Sequence, residues 1–347
     1  MKCAKFLDKY EYIIFDMDGV ITSEENYWDI AALTVYELLN ANHYYGITPF
    51  DPSDALSRVK EIRNEVFFGD KTITLVKERG VNSNWDLGYI VFAYMLSGKC
   101  KSYKEVYDYI SQTSLLAFDL YTECAQLLSE KLGLPVEVCS RNEPVWNMCR
   151  DTFQEWYFGS DEFEVFYNVK PRCQGKESME MREIPAIALD DVLTVLSTLK
   201  ESGKKLMVAT GRSDRDVSNP VRLWDIGKFF EPDAVATYTH ITQAEQHFLK
   251  MGKKVILTKP EPYIFLKALY RTSYPDEKII AGEYHKSLIS KALIVGDAGS
   301  DLFAAKRMGC DFLAVLTGIS GESARGYFEK EKAEYILPSI KGMIESC

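Results

Sequence analysis

Two kinds of apolar pattern alternate from about Ile184 to the end of the chain. Continuous runs at Leu206–Ala209, Ala234–Thr237, Leu293–Val295, Phe312–Val315 and Tyr335–Ile336 read as strands, and so does Tyr12-Ile13-Ile14-Phe15 near the start. Such unbroken runs suit parallel strands whose two faces are both covered. Between them, apolar residues recur at helical spacing. Val192, Leu193, Val195, Leu196 and Leu199 share one face, with Asp190 and Asp191 where an N-cap would stand and Gly203 at the end. Further helices are predicted near Asn219–Ile226 and over Tyr263–Tyr270, Ser300–Met308, Ser323–Lys332 and Ile340–Glu345. Val255, Ile256 and Leu257 form another β-branched run. This alternation predicts a doubly wound, Rossmann-like parallel sheet with helices on both faces.

Residues 23–184 read differently. Trp28, Ile30, Ala31, Leu33 and Leu38, then Ala55, Leu56, Val59, Ile62 and Val66, then Leu87, Ile90, Val91, Tyr94 and Met95, then Leu115, Leu116, Leu120, Leu127 and Leu128 follow helical spacing. The pattern predicts a mostly α-helical domain inserted just after the first strand. Val169–Glu183, with Pro171, Gly175 and several charges, reads as a loop leading back. The expected division is therefore an α/β domain of 1–22 and 185–347 and a helical domain of 23–184.

A chain of 347 residues, 46% hydrophobic and 27% charged, suits two globular domains. Its net charge of −10 offers no basic surplus for nucleic acid. A small phosphorylated molecule needs only a local positive site. The eight cysteines (Cys3, Cys100, Cys124, Cys139, Cys149, Cys173, Cys310, Cys347) form no Cys-x-x-Cys pair, and four scattered histidines offer no zinc pattern. Reduced thiols and a cytoplasmic location are expected. No signal peptide or membrane-spanning run is read.

The chemistry gathers at strand ends. Asp16 and Asp18 follow the first predicted strand at i, i+2 spacing, with Gly19 after them. A strand places i and i+2 on the same side, so both carboxylates would enter the crevice where open α/β sheets bind ligands. Two acids held together repel unless a cation or shared proton relieves them. Mg²⁺, a hard ion that prefers oxygen ligands, is the natural relief. Asp-x-Asp also occurs on solvated turns. Three more groups stand at or near predicted strand exits: Thr210-Gly211-Arg212, Lys259-Pro260-Glu261-Pro262, and Asp297 with Asp301 four residues on.

In this order the groups resemble the four motifs of the haloacid dehalogenase (HAD) superfamily, in its phosphatase branch, the group of phosphoglycolate phosphatase and β-phosphoglucomutase. The resemblance covers residues 10–22 and roughly 185–347. It implies an α/β HAD core with 23–184 as a helical cap, longer than the family's compact caps. It also implies a Mg²⁺-dependent phosphatase that hydrolyses a small phosphorylated metabolite through an aspartyl-phosphate. On the family pattern Asp16 is the nucleophile and Asp18 the general acid, then base. Asp16, the Asp18 backbone carbonyl and Asp297 hold the ion, and Asp301 orients that shell from outside. Thr210 and Gly211 contact the phosphoryl group. Lys259 binds both that group and the nucleophile's carboxylate.

Other readings stay open on sequence. Asp18 could cap a turn, Thr210 a helix, and Asp301 could be a helix N-terminal acid. Arg212 fits either substrate contact or surface. Arg58, Lys60, Arg63 and Lys71 read as a solvated helix face that could also reach substrate. Some cap helices could serve a homo-oligomer interface. A phosphosugar mutase of the β-phosphoglucomutase type shares all four motifs, and a non-catalytic binding protein on the same fold is the third alternative.

Overall fold

The computed structural model describes residues 1–81 and 83–345. Two compact units divide the chain: Met1–Glu24 with Glu183–Cys347, and Glu25–Arg182. In the first unit β1 (Tyr12–Phe15), β2 (Lys205–Ala209), β3 (Phe230–Ala236), β4 (Ala292–Gly296), β5 (Asp311–Val315) and β6 (Tyr335–Leu337) form one sheet, order β3-β2-β1-β4-β5-β6. Every pairing is parallel.

The period of two along each strand sends side chains to opposite layers. Tyr12 and Ile14 pack with Met207, Ile294, Phe265 and Phe312, whereas Ile13 and Phe15 pack with Val208, Val295, Leu196 and Leu199. All four residues of β1 are buried. Burial at roughly 1.5–3 kcal/mol per large apolar side chain makes this strand the anchor of the sheet. Phe15 stands opposite both Val208 and Val295, so β1 ends one residue short of β2 and β4. Strand order reverses between β1 and β4, which places the crevice of a doubly wound sheet at their C-terminal ends.

Several elements differ from the sequence reading. Val255, Ile256 and Leu257 form no strand, and Ile256 is 69% exposed. Lys259 is therefore carried by a loop rather than a strand exit. The helix expected near Asn219–Ile226 runs over Asp214–Leu223, started by a capping box in which Ser213 accepts from the Asp216 N–H and Asp216 reaches back to Ser213. Asp190 and Asp191 lie in the first turn of Leu189–Glu201, with Ala188 at the cap. The strand read at 234–237 begins earlier, at Phe230. Residues 323–332 split into a 3₁₀ turn, Gly321–Ala324, and the helix Arg325–Lys330. In place of a last helix, the 3₁₀ turn Ile340–Met343 leads to Ile344–Glu345, which pairs antiparallel with Lys2–Cys3.

The second unit is built from helices. Asn84–Ser97 is its central element: every residue from Asp86 to Tyr94 is buried, so it is apolar nearly all round. It packs against Glu25–Asn40, Ala117–Leu132 and Pro144–Phe158. Trp28, Trp146 and Trp156 are core residues. The basic residues near 58–71 are engaged locally. Arg63 is buried between Asp29 and Asp70, Lys60 meets Asp29 at 2.8 Å, Arg58 pairs with Asp54, and Lys71 lies 4.8 Å from the Phe68 ring.

The return loop after Tyr167 is held by a buried charge network. Lys176 Nζ sits 2.8 Å from Glu37 Oε2 and 2.7 Å from Glu155 Oε2. Trp156 Nε1 and His43 Nε2 also meet the Glu37 carboxylate, at 2.8 and 3.0 Å. Glu37, His43 and Cys173 have donor atoms within 4.8 Å of one another. The Lys176 ammonium already neutralises Glu37 and would repel a cation there, so the cluster is structural. Cys3, Cys100, Cys124, Cys139, Cys149, Cys173 and Cys310 are free thiols, and Cys347 lies outside the described residues. No helix among the described residues is long and apolar enough to cross a membrane.

Candidate active site

Asp16 is the first residue beyond β1. Its N–H donates to Val295 O at 2.8 Å, which extends the β1–β4 pairing by one bond and fixes Asp16 at the point of order reversal. Asp297 directly follows β4, and Asp301 lies in the first turn of the helix Gly299–Met308. Carboxylate oxygens of Asp16, Asp297 and Asp301 lie within 4.8 Å of one another. Lys259 reaches into this cluster, with Nζ 2.9 Å from Asp16 Oδ2 and 2.9 Å from Asp301 Oδ1. Asp301 is fully buried, and its Oδ2 has no hydrogen-bond partner among the described residues.

The electrostatics follow from that crowding. Burial is the largest cause that pushes the Asp16 pKa up, to about 7; the charges of Asp301 and Asp18 add to it, against the pull of Lys259. Burial works against the Lys259 ammonium, but Asp16 and Asp301 outweigh it and hold its pKa above the usual lysine range. Lys259 is thus a permanent cation at neutral pH.

Two glycines shape the space around Asp297. A Cβ at Gly19 would lie 2.2 Å from Asp297 Oδ2, and one at Gly318 would lie 1.9 Å from it. Gly19 also has a φ of +73°, which favours glycine. Thr317 Oγ1 donates to Gly19 O and ties the two loops together. Thr317 and Gly318 escaped the sequence reading. The signal was present, because a Thr-Gly pair follows β5 much as Thr210-Gly211 follows β2.

Thr210 is buried and is no helix cap. Its Oγ1 accepts the Arg212 N–H at 3.1 Å, and Ser213 caps the next helix. A Cβ at Gly211 would meet nothing within 4 Å, so open space faces that backbone. Asp18 is not one of the three clustered acids, and its carboxylate has other partners. It accepts from Thr22 Oγ1 at 2.9 Å and from Arg212 Nη2 at 2.7 Å. Arg212 is not a surface residue: it is 4% exposed. The side chains gathered into one group are therefore Asp16, Asp297, Asp301 and Lys259. Asp18, Thr22, Arg212 and Glu183 form a second group, of which sequence reading found Asp18 and left Arg212 undecided.

A doubly wound parallel sheet with clustered acids and a buried lysine at its switch point defines a class of α/β protein with a charged site at the strand ends. Residues 256–343 match the HAD-hydrolase-like family. Over 151 residues the chain is 28% identical to PpaX of Caldanaerobacter subterraneus subsp. tengcongensis, a protein named for pyrophosphatase activity. That alignment takes in 44% of this chain and 54% of PpaX, so the chain spans about half the length of this curated relative. The crystal structure of Northeast Structural Genomics Consortium target ZR25 is similar over 95% of this chain and 96% of its own, at 28% identity and a TM-score of 0.76. The likeness of this chain to HAD-like hydrolases is carried by residues 256–343.

Proposed function

We propose that the protein is a Mg²⁺-dependent phosphatase that hydrolyses a small phosphorylated metabolite through an aspartyl-phosphate on Asp16. The observation that carries this reading is the meeting of Lys259 with Asp16 and Asp301 beside Asp297. Three carboxylates against one ammonium leave two formal negative charges, which a divalent cation would neutralise. The donor set is all oxygen, as Mg²⁺ prefers, and the unpartnered Asp301 Oδ2 fits a nearby cation. Asp16, Asp297 and the Asp18 carbonyl would hold the ion, with Asp301 supporting them. When bound, Mg²⁺ offsets repulsion between the carboxylates and the phosphoryl group and stabilises transition-state charge.

The residues divide the reaction into two displacements. An Asp16 oxygen attacks phosphorus, the bond to the ester oxygen breaks, and Asp18 gives that oxygen a proton. Water then attacks the aspartyl-phosphate and passes a proton to Asp18. The bond to Asp16 breaks, which frees phosphate and restores the carboxylate. Proton transfer of this kind contributes typically 10²–10⁴-fold. Lys259 offsets charge on the phosphoryl oxygens. The Arg212 N–H orients Thr210 Oγ1, leaving its O–H to donate to the same group.

Purified protein is expected to release phosphate from an aryl phosphate, to stop when divalent ions are chelated, and to recover with Mg²⁺. Turnover indifferent to chelation would overturn the metal assignment. Gly318→Ala should leave the fold intact, because the atom in the way is the end of the Asp297 side chain. The displaced carboxylate should raise the Mg²⁺ concentration for half-maximal turnover by roughly 10–100-fold, the usual cost of disturbing support around a ligand. An unchanged Mg²⁺ titration would show that Asp297 is not a ligand.

A further inference from the structure

Arg212 joins two carboxylates distant in sequence. Its Nη2 donates to Asp18 Oδ1 at 2.7 Å, and its Nε lies 3.0 and 3.1 Å from the two Asp18 oxygens. On the other side Nη1 donates to Glu183 Oε1 at 2.7 Å. The side chains of Arg212 and Glu183 are 3% and 4% exposed, against 26% for Asp18. An exposed ion pair holds nothing in place. A buried guanidinium that grips a carboxylate with a planar fork fixes both its position and its rotation.

The anchor on the far side is itself fixed. Beside Glu183, Ser23 N–H donates to Ile184 O at 2.7 Å, and Ala186 N–H donates to Ile21 O at 3.0 Å. Thr22 bridges to Pro185 and to Asp18 in the backbone, and its hydroxyl donates to Asp18 Oδ1. Asp18, Thr22, Arg212 and Glu183 thus make one frame at the end of β1. Each of the three guanidinium nitrogens donates to one of the two acids.

We propose that Arg212 is a positioning residue for Asp18. Anchored by Glu183, it sets the direction of the Asp18 carboxylate and hence the path of the proton to and from the leaving oxygen. This rests on the acid–base role proposed for Asp18. Proton transfer demands hydrogen-bond reach, and misplacement by about 1 Å can cost on the order of 10²-fold. The penalty should depend on the leaving group. An alkoxide needs the proton as the bond breaks, whereas a nitrophenolate leaves without it.

The test compares Arg212→Gln, Arg212→Lys and the double variant Arg212→Gln/Glu183→Gln with the parent protein on a simple alkyl phosphate and on p-nitrophenyl phosphate, in saturating Mg²⁺. In Arg212→Gln, kcat on the alkyl ester is expected to fall roughly 10–100-fold. On the nitrophenyl ester it should fall less than about threefold, with KM within about twofold on both. Lysine, which keeps the charge but loses the fork, should restore part of the alkyl rate. The double variant leaves no buried charge unpaired and carries the same test if Arg212→Gln does not fold. Equal losses on both esters, or a raised KM at constant kcat, overturn the proposal in favour of a phosphate ligand. A parent protein inert toward every ester overturns the phosphatase reading and this inference together, while an active parent with a flat leaving-group response overturns the inference alone.

Discussion

Asp16→Asn is expected to lower turnover by at least about 10³-fold while the protein remains folded. The amide keeps the size and most of the hydrogen bonding of the carboxylate but cannot attack phosphorus, so the covalent route closes. The fold should not suffer. Asp16 sits where burial and two like charges push its pKa up to about 7. Its native pKa lies above the value of an unfolded carboxylate, so the native state binds more protons than the unfolded chain between about pH 4 and pH 7. Asp16 therefore lowers stability as pH rises through that window. The neutral amide removes this cost, while Lys259 keeps its contact with Asp301 at 2.9 Å. Without divalent ions, the melting temperature of Asp16→Asn at pH 8 should equal or exceed that of the parent. This is the stability–activity opposition expected where a site holds like charges together. Phosphate-release assays and thermal melts check the two halves independently, and residual turnover within tenfold of the parent would remove Asp16 from the nucleophile's role.

What could be read in the chain depends on how local the cause is. The β1 and β4 strands are legible because a parallel strand covered on both faces must be apolar throughout, and Tyr12–Phe15 and Leu293–Val295 are. The helix Tyr238–Lys250 was missed. Only Ile241, Ala244 and Phe248 are buried in it, spaced at three and four residues among polar neighbours, and its start is marked by the His240 ring accepting the Thr237 N–H rather than by an acidic cap. The run at 255–257 misled for the opposite reason. Its composition suits a strand, but among the described residues no strand pairs with it, and Leu257 N–H bonds to the Glu245 side chain instead.

The site was legible in the same uneven way. Asp16, Lys259, Asp297 and Asp301 announce themselves by residue type and order, and the sheet topology brings them together. Arg212 could not be placed, because its burial comes from Asp18, 194 positions away, and Glu183, 29 positions away. Neither separation leaves a periodic trace in the sequence. The same limit hid Lys176, whose partners Glu37 and Glu155 belong to two different helices.

Lys176→Met should destabilise the helical unit by about 3–5 kcal/mol, the usual cost of removing one partner from a buried ion pair. The Lys176 side chain is 0% exposed and lies between the equally buried Glu37 and Glu155. Methionine fills much of the same volume, so the loss would come from charge rather than from a cavity. Glu155 also accepts the Arg172 N–H at 3.0 Å and the Cys173 N–H at 3.4 Å, so the change should loosen the loop that closes the unit. For a unit of this size the expected fall in melting temperature is roughly 6–20 °C. Burial lowers the Lys176 pKa, but Glu37 and Glu155 outweigh it and raise it above the ordinary value. A lysine pKa raised in the folded state adds stability that is complete below about pH 10.5 and is lost above the folded pKa. The contribution of the lysine itself should therefore stay flat from pH 6 to pH 9. Adding Glu155→Gln to Lys176→Met removes one of the stranded charges and should recover part of the loss, a non-additivity that a double-mutant cycle reads directly. A single-variant cost below about 1 kcal/mol, or strict additivity in the cycle, would mean that water reaches these charges in solution and that the loop is held by its apolar contacts alone.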